Sequence, residues 1–188
     1  MIRGVVLGII LGIAGVMAGV YLYFATGQAP VAATAADMPF ERRFAKLGLH
    51  TYLAKLPHPE AQIPADEKNL LEGAKVYKAH CAVCHGVPEL APTAIAQGMV
   101  PKPPQLFKGM GVTDDEPWET YWNVESGIRM SGMPGFKGRL TEAEIWQVTL
   151  LVKNADRITP AVKAELTAAP PANAPNTAAL AVKKLARK

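Results

Sequence analysis

From Gly4 to Ala25 the chain carries no charged side chain. This apolar run follows Arg3 and matches the roughly 20 residues a helix needs to cross a bilayer. It predicts a membrane-spanning helix with Arg3 on the inner side. Tyr21 and Tyr23 then fall at the outer boundary, where amphipathic aromatic rings collect. A cleaved leader is the alternative, since Ala33-Thr34-Ala35 resembles a small-residue cleavage site, but leaders usually have an apolar region of only about 7–15 residues. Gly4, Gly8 and Gly12 are spaced by four, as are Gly15 and Gly19. Small residues at that spacing let membrane helices approach each other, although glycine is also simply common in such helices.

The patterning then changes. Gln28 to Met38 is alanine-rich and reads as a linker. Phe40, Phe44, Leu47 and Tyr52/Leu53 recur at near-helical spacing among Arg42, Arg43, Lys46 and Lys55. That is the pattern of a short amphipathic helix, placed on the membrane surface or against a following domain. Pro57, Pro59 and Pro64 end it. A second helix is expected with Asn69 as its N-cap and Glu72 completing a capping box, with Leu70, Gly73/Ala74 and Tyr77 on one face leading to Cys81. A proline-rich stretch runs from Val87 to Leu106. Trp118, Tyr121 and Trp122 mark a helix over about Glu116 to Ser126 that Gly127 stops, and Ile128 to Gly138 reads as a loop. A last helix starts at Thr141 with Glu144 in a capping box, Leu140 and Ile145 as a hydrophobic staple, and Ile145, Val148, Thr149 and Val152 as its buried stripe.

No stretch alternates as a strand would, so the expected class is all-α. From Thr159 onward the chain is alanine- and proline-rich with a basic tip at Lys183, Lys184, Arg187 and Lys188, and is expected to be disordered. The organisation is thus a transmembrane signal-anchor over 1–26, a linker with an amphipathic helix over 27–65, a folded domain over 66–158 and a basic tail over 159–188.

Charge follows these segments. Residues 1–65 hold five basic and three acidic side chains, residues 66–157 ten and twelve, and residues 158–188 five and one. The folded part is therefore mildly acidic, and the basic character belongs to the ends. A nucleic-acid partner would need a clustered basic face on the domain, so none is expected.

The chemistry concentrates in Cys81-Ala-Val-Cys84-His85. Two thiols on one helical turn can bond the two vinyl groups of a haem, and the adjacent His85 is held beneath the iron as an axial ligand. A thioredoxin-like redox pair would need a βαβ setting, and a structural zinc site needs four ligands; neither is present in the sequence. The two cysteines are also too few for a disulfide framework. The expected cofactor is one covalent haem c, held by Cys81, Cys84 and His85. For the sixth iron ligand Met133 leads: it lies in a loop, 48 residues after His85, and Pro134 after it keeps the backbone extended. Its thioether is a soft ligand that raises the reduction potential. Met130 is the rival in the same loop. His80 is too close to Cys81 to reach the far face, and His50 and His58 precede the domain.

Residues 69–155 resemble the class I cytochromes c. Gly73 and Tyr77 match the first-helix glycine and aromatic, Trp146 the aromatic they meet on the last helix, Cys81, Cys84 and His85 the haem motif, and Gly132-Met133-Pro134 the methionine loop. The chain is also similar to membrane-anchored mono-haem proteins of bacterial respiratory chains, including haem-c subunits of terminal oxidases. The resemblance implies helices wrapped round the haem with one edge open for electron exchange. It also implies that a loop proline carbonyl accepts from His85, with Pro92 the candidate and Pro88 its rival. Trp118, Trp122 and Arg129 are either propionate contacts or, the plainer reading, ordinary core aromatics and a surface arginine. Pro101 to Leu106 is expected to pack along a haem edge. The expected role is single-electron transfer between respiratory-chain components by a non-enzymatic protein. It would be held on the periplasmic face of the inner membrane, with redox proteins or a respiratory complex as partners and no small-molecule substrate. Two alternatives stand beside it: a haem-c subunit integrated in a larger complex, or a pentacoordinate haem protein that binds or reduces a small ligand.

Overall fold

The computed structural model describes residues 1–108 and 114–168. Among the described residues the chain is helical and forms no β-strand; two isolated backbone bridges, Ile128 with Met133 and Lys137 with Leu140, tie loops. The described residues form eight helices in order: α1 Ile2–Ala25, α2 Glu41–Leu53, α3 Glu67–His80, α4 Ala82–His85, α5 Ala94–Gly98, α6 Pro117–Ser126, α7 Glu142–Lys153 and α8 Pro160–Thr167.

α1 is long and apolar enough to cross a membrane, and none of its side chains is buried. The folded part begins at α3. Its N-cap is Asp66, whose carboxylate accepts from the Asn69 backbone N–H at 2.9 Å. The expected cap at Asn69 is therefore displaced by three residues. A carboxylate at the positive end of the helix does the same work, and Asn69 uses its side-chain amide on the Pro64 carbonyl instead. Glu72 pairs with Lys75 rather than closing a box.

α3 crosses α7 at Gly73. A Cβ on Gly73 would lie 2.3 Å from the Gln147 carbonyl oxygen and 3.3 Å from Leu151 Cβ, so only glycine allows the two backbones to meet. The buried cluster centres here: Leu70, Ala74 and Tyr77 from α3, Tyr121 and Val124 from α6, and Trp146, Val148, Leu151 and Val152 from α7. α7 begins with the capping box, in which the Thr141 hydroxyl accepts from the Glu144 N–H and the Glu144 carboxylate accepts from the Thr141 N–H. The aromatic pairing differs from the expected one. Trp146 stacks on Tyr121 at 4.5 Å between centroids, while Tyr77 meets Phe107 edge-on at 5.2 Å. Trp146 and Gln147 are neighbours on α7, and it is the backbone of Gln147 that faces Gly73.

The disordered tail expected from Thr159 is corrected over its first part. Thr159 caps α8 by accepting from the Val162 N–H, and Pro160 occupies the first turn. Val162 and Leu166, one turn apart, are almost fully buried and join the core. Lys78 on α3 donates to the Glu165 carboxylate at 2.6 Å, and Thr159 donates to Glu67 at 2.7 Å. Average composition concealed an amphipathic turn with its own start signal. Residues 169–188, including the basic tip, lie outside the described residues.

Candidate haem-binding site

α3 delivers its last turn directly into the Cys81–His85 segment. The Cys81 N–H donates to the Tyr77 carbonyl at 2.7 Å, and the His85 N–H to the Cys81 carbonyl at 2.9 Å, so the motif forms a single helical turn. Tyr77 is fully buried, and its hydroxyl donates to the Gly86 carbonyl at 2.8 Å. One side chain thus anchors the base of the motif to the α3 core. Burial pushes the Tyr77 phenol far up, so it is a pure donor here at neutral pH.

Cys81 and Cys84 are free thiols, both partly buried. Burial, then the neighbouring Cys84, pushes the Cys81 thiol up to about 12. His85 Nδ1 lies 2.9 Å from the Pro104 carbonyl oxygen. A carbonyl only accepts, so Nδ1 carries the proton and Nε2 keeps a free lone pair. Burial pulls the His85 pKa down, favouring the neutral ring, and the bond to Pro104 opposes this in part. The acceptor is Pro104, neither Pro92 nor Pro88. The reason is the return path of the loop. The Leu106 N–H donates to the His85 carbonyl at 3.1 Å, and the Gln105 amide donates to the Cys84 carbonyl at 3.0 Å. These clamps lay Pro104 against the imidazole. Pro92 instead accepts from the Gln97 side chain, and Thr93 ties the start of α5 to the motif by donating to the Val83 carbonyl at 2.6 Å. Gln105 was not singled out by sequence; its partner is 21 residues away and no local pattern marks it.

The methionine loop is pinned at both ends to the C-terminus of α6. Gly127 ends that helix with φ of 70°, and a Cβ there would lie 2.5 Å from the Gly135 nitrogen and 2.7 Å from the Met133 oxygen. The loop therefore folds back directly onto it. The Ile128 N–H donates to the Met133 carbonyl at 3.1 Å, the Met133 N–H donates to the Ser131 hydroxyl at 3.2 Å, and the Phe136 N–H reaches the Val124 carbonyl at 3.0 Å. Met133 packs against the core cluster that also contacts Cys81, Ala82 and Leu106. Met130 is 91% exposed and points away from that cluster. His80 packs on Phe136 at 5.5 Å, joining the end of α3 to the end of the loop.

The two α6 tryptophans serve the segment that precedes the domain. The Trp122 indole N–H donates to the Pro57 carbonyl at 2.8 Å, and His58 stacks on Trp118 at 3.9 Å. Both rings are half-buried, so they tether this segment rather than fill the core. Arg129 is exposed.

Residues 68–151 match the family model described as cytochrome c oxidase, cbb3-type, subunit III. The comparisons with curated proteins and with solved structures gave no significant match. A domain of this family carries covalently bound haem c, and the donor set fits such a group. Two unpaired thiols stand on one turn, beside a neutral imidazole with a free Nε2, and a thioether lies in a fixed loop.

Proposed function

We propose that this c-type cytochrome domain is a single-haem electron carrier tethered by α1 to the periplasmic face of the inner membrane, passing single electrons between respiratory-chain components. Cys81 and Cys84 would hold the haem through two thioethers, each thiol adding across a vinyl group, and His85 and Met133 would supply its iron ligands. The haem, when bound, supplies the one-electron iron couple. The protein's part is to fix ligands and shield the group. Pro104 holds the imidazole in one orientation and one tautomer, and makes Nε2 more basic. The Tyr77 hydroxyl and the Gln105 amide both fix the end of the motif turn, through the Gly86 and Cys84 carbonyls. The Ser131 hydroxyl and the Gly127 turn set the Met133 backbone. A thioether favours the ferrous state and raises the potential. With both His85 and Met133 on the iron, no position would be left open for a small-molecule substrate, as a carrier requires.

The observation that carries this reading is His85, whose Nδ1 is committed to Pro104 while Nε2 remains free. The test is the visible absorption of the oxidised and reduced protein beside Met133→Ala. The wild type is expected to show the weak long-wavelength band of methionine–Fe(III) ligation and the variant to lack it. A high-spin oxidised spectrum, or a band that survives the substitution, would overturn the ligand assignment and with it the carrier reading.

A second reading is a haem-c subunit within a larger membrane oxidoreductase. The family description supports it, and the four-residue spacing of the α1 glycines is one that lets membrane helices approach closely. Mild solubilisation of native membranes separates the two. A carrier migrates alone, whereas a subunit migrates with other haem- or copper-bearing chains.

A further inference from the structure

α2 carries two faces that do different things. Phe40 at its N-cap, Phe44 and Leu47 form a stripe at i, i+4 and i+7, and they are 64%, 66% and 60% exposed. At 3.6 residues per turn, Leu49 and Leu53 fall on roughly the opposite side. There Leu53 is buried and Leu49 half-buried. The side of α2 that packs on protein is therefore already occupied, and the aromatic stripe is a second apolar face turned outward.

What surrounds that stripe argues for its occupant. Residues 38–56 hold four basic side chains and one acidic one. Arg42 is paired with Asp37, whereas Arg43, Lys46 and Lys55 make no ion pair among the described residues. Arg43 lies one turn before Leu47, on the margin of the stripe. Lys46 falls nearer Leu53 by the same count, but it is exposed and its long side chain can reach round the helix toward the surface. An apolar stripe with a basic margin is the pattern of a helix lying in the plane of a membrane surface. The bilayer is also within reach. Residues 26–40 join α1 to α2, and 15 residues extend at most about 50 Å. A spanning α1 thus keeps α2 within about 50 Å of the bilayer, so contact with it is sterically open.

We propose that α2 is an interfacial helix, with Phe40, Phe44 and Leu47 set into the headgroup boundary and Arg43 and Lys46 against anionic phospholipid. This rests on the reading of α1 as a membrane span. Bound in this way, α2 fixes how the start of the haem domain meets the membrane. The segment beyond α2 is itself held to α6 by Pro57 and His58.

The test uses the full-length holoprotein in nanodiscs containing phosphatidylglycerol. Single nitroxide labels are placed through Phe44→Cys, Leu47→Cys, Ala45→Cys and, in α1, Leu11→Cys. Labels at 44 and 47 are expected to be more accessible to oxygen than to a water-soluble nickel complex, with the order reversed at 45. Arg43→Glu with Lys46→Glu is expected to shift 44 and 47 toward the nickel reagent. If 44, 45 and 47 are equally open to nickel while 11 is lipid-buried, α2 stands in water and the proposal fails alone. Shielding of 44 and 47 from both reagents would mean a protein covers the stripe and would also overturn it. A nickel-accessible label at 11 would bring down the spanning reading and this proposal together.

Discussion

Gly73 on α3 lies against the carbonyl of Gln147 on α7 with room for a hydrogen and nothing larger. The haem motif is the continuation of α3, so this crossing fixes where Cys81, Cys84 and His85 stand relative to the core. Gly73→Ala puts a methyl group into two backbones that cannot give way by rotating a side chain. Overpacking of this kind costs about 1–3 kcal/mol. The denaturant midpoint of the holoprotein is expected to fall accordingly; an unchanged midpoint would mean the helices are further apart than described.

α8 contributes to the same core from outside the family match. Leu166 is 2% exposed, and Leu166→Ala is expected to cost about 2–5 kcal/mol through lost burial and the cavity left behind. Lys163, half-exposed on the same helix and paired among the described residues with the exposed Glu89, serves as the control. Lys163→Ala is expected to change stability by less than about 1 kcal/mol. Equal effects from the two would show that α8 does not dock through its apolar side.

Trp122 ties the approach segment to α6 through one hydrogen bond to Pro57. Trp122→Phe keeps an aromatic ring and removes the donor, at a cost of about 1 kcal/mol. The local consequence is the sharper readout. Cleavage by trypsin after Lys55 is expected to accelerate in the variant while the haem spectrum stays as in the wild type. Unchanged cleavage would mean the segment is held by other contacts.

The α7 capping box gives a pH dependence with a definite sign. Hydrogen bonds from the Thr141 N–H and hydroxyl pull the Glu144 carboxyl below its ordinary 4.5. A carboxylate with a depressed folded pKa stabilises the fold above its unfolded value, and that contribution is lost as pH falls through the folded one. Stability should therefore drop below about pH 4.5, and Glu144→Gln should flatten that limb while retaining the box geometry. Thr141→Ala, which removes the cap itself, is expected to cost about 1 kcal/mol at neutral pH. Urea titrations from pH 3 to 7 compare the three proteins (the pH range being roughly that over which carboxylates titrate).

Much of this protein is written locally. The charge-free run of α1, the Cys81–His85 turn, the Thr141–Glu144 box and the stop at Gly127 each depend on residues within a few positions of one another. Short-range geometry decides such features, and a sequence displays them directly. The all-α class follows from the same signals. α8 was also legible residue by residue, since Thr159-Pro160 and the Val162/Leu166 pair are a start signal and a stripe, but alanine- and proline-rich composition outweighed them.

The remainder depended on which distant groups the packed chain brings together. Nothing local distinguishes Pro104 from Pro88 or Pro92 as the acceptor for His85; the loop's return, clamped by Gln105 and Leu106, makes the choice. Trp146 stacks on Tyr121, 25 residues earlier, a pairing that exists only once α6 and α7 share the core. Residue types and spacing therefore determined the ligand chemistry, while tertiary packing decided which carbonyls, rings and helices hold those ligands still, because hydrogen bonds and close crossings between distant segments exist only once the core has formed.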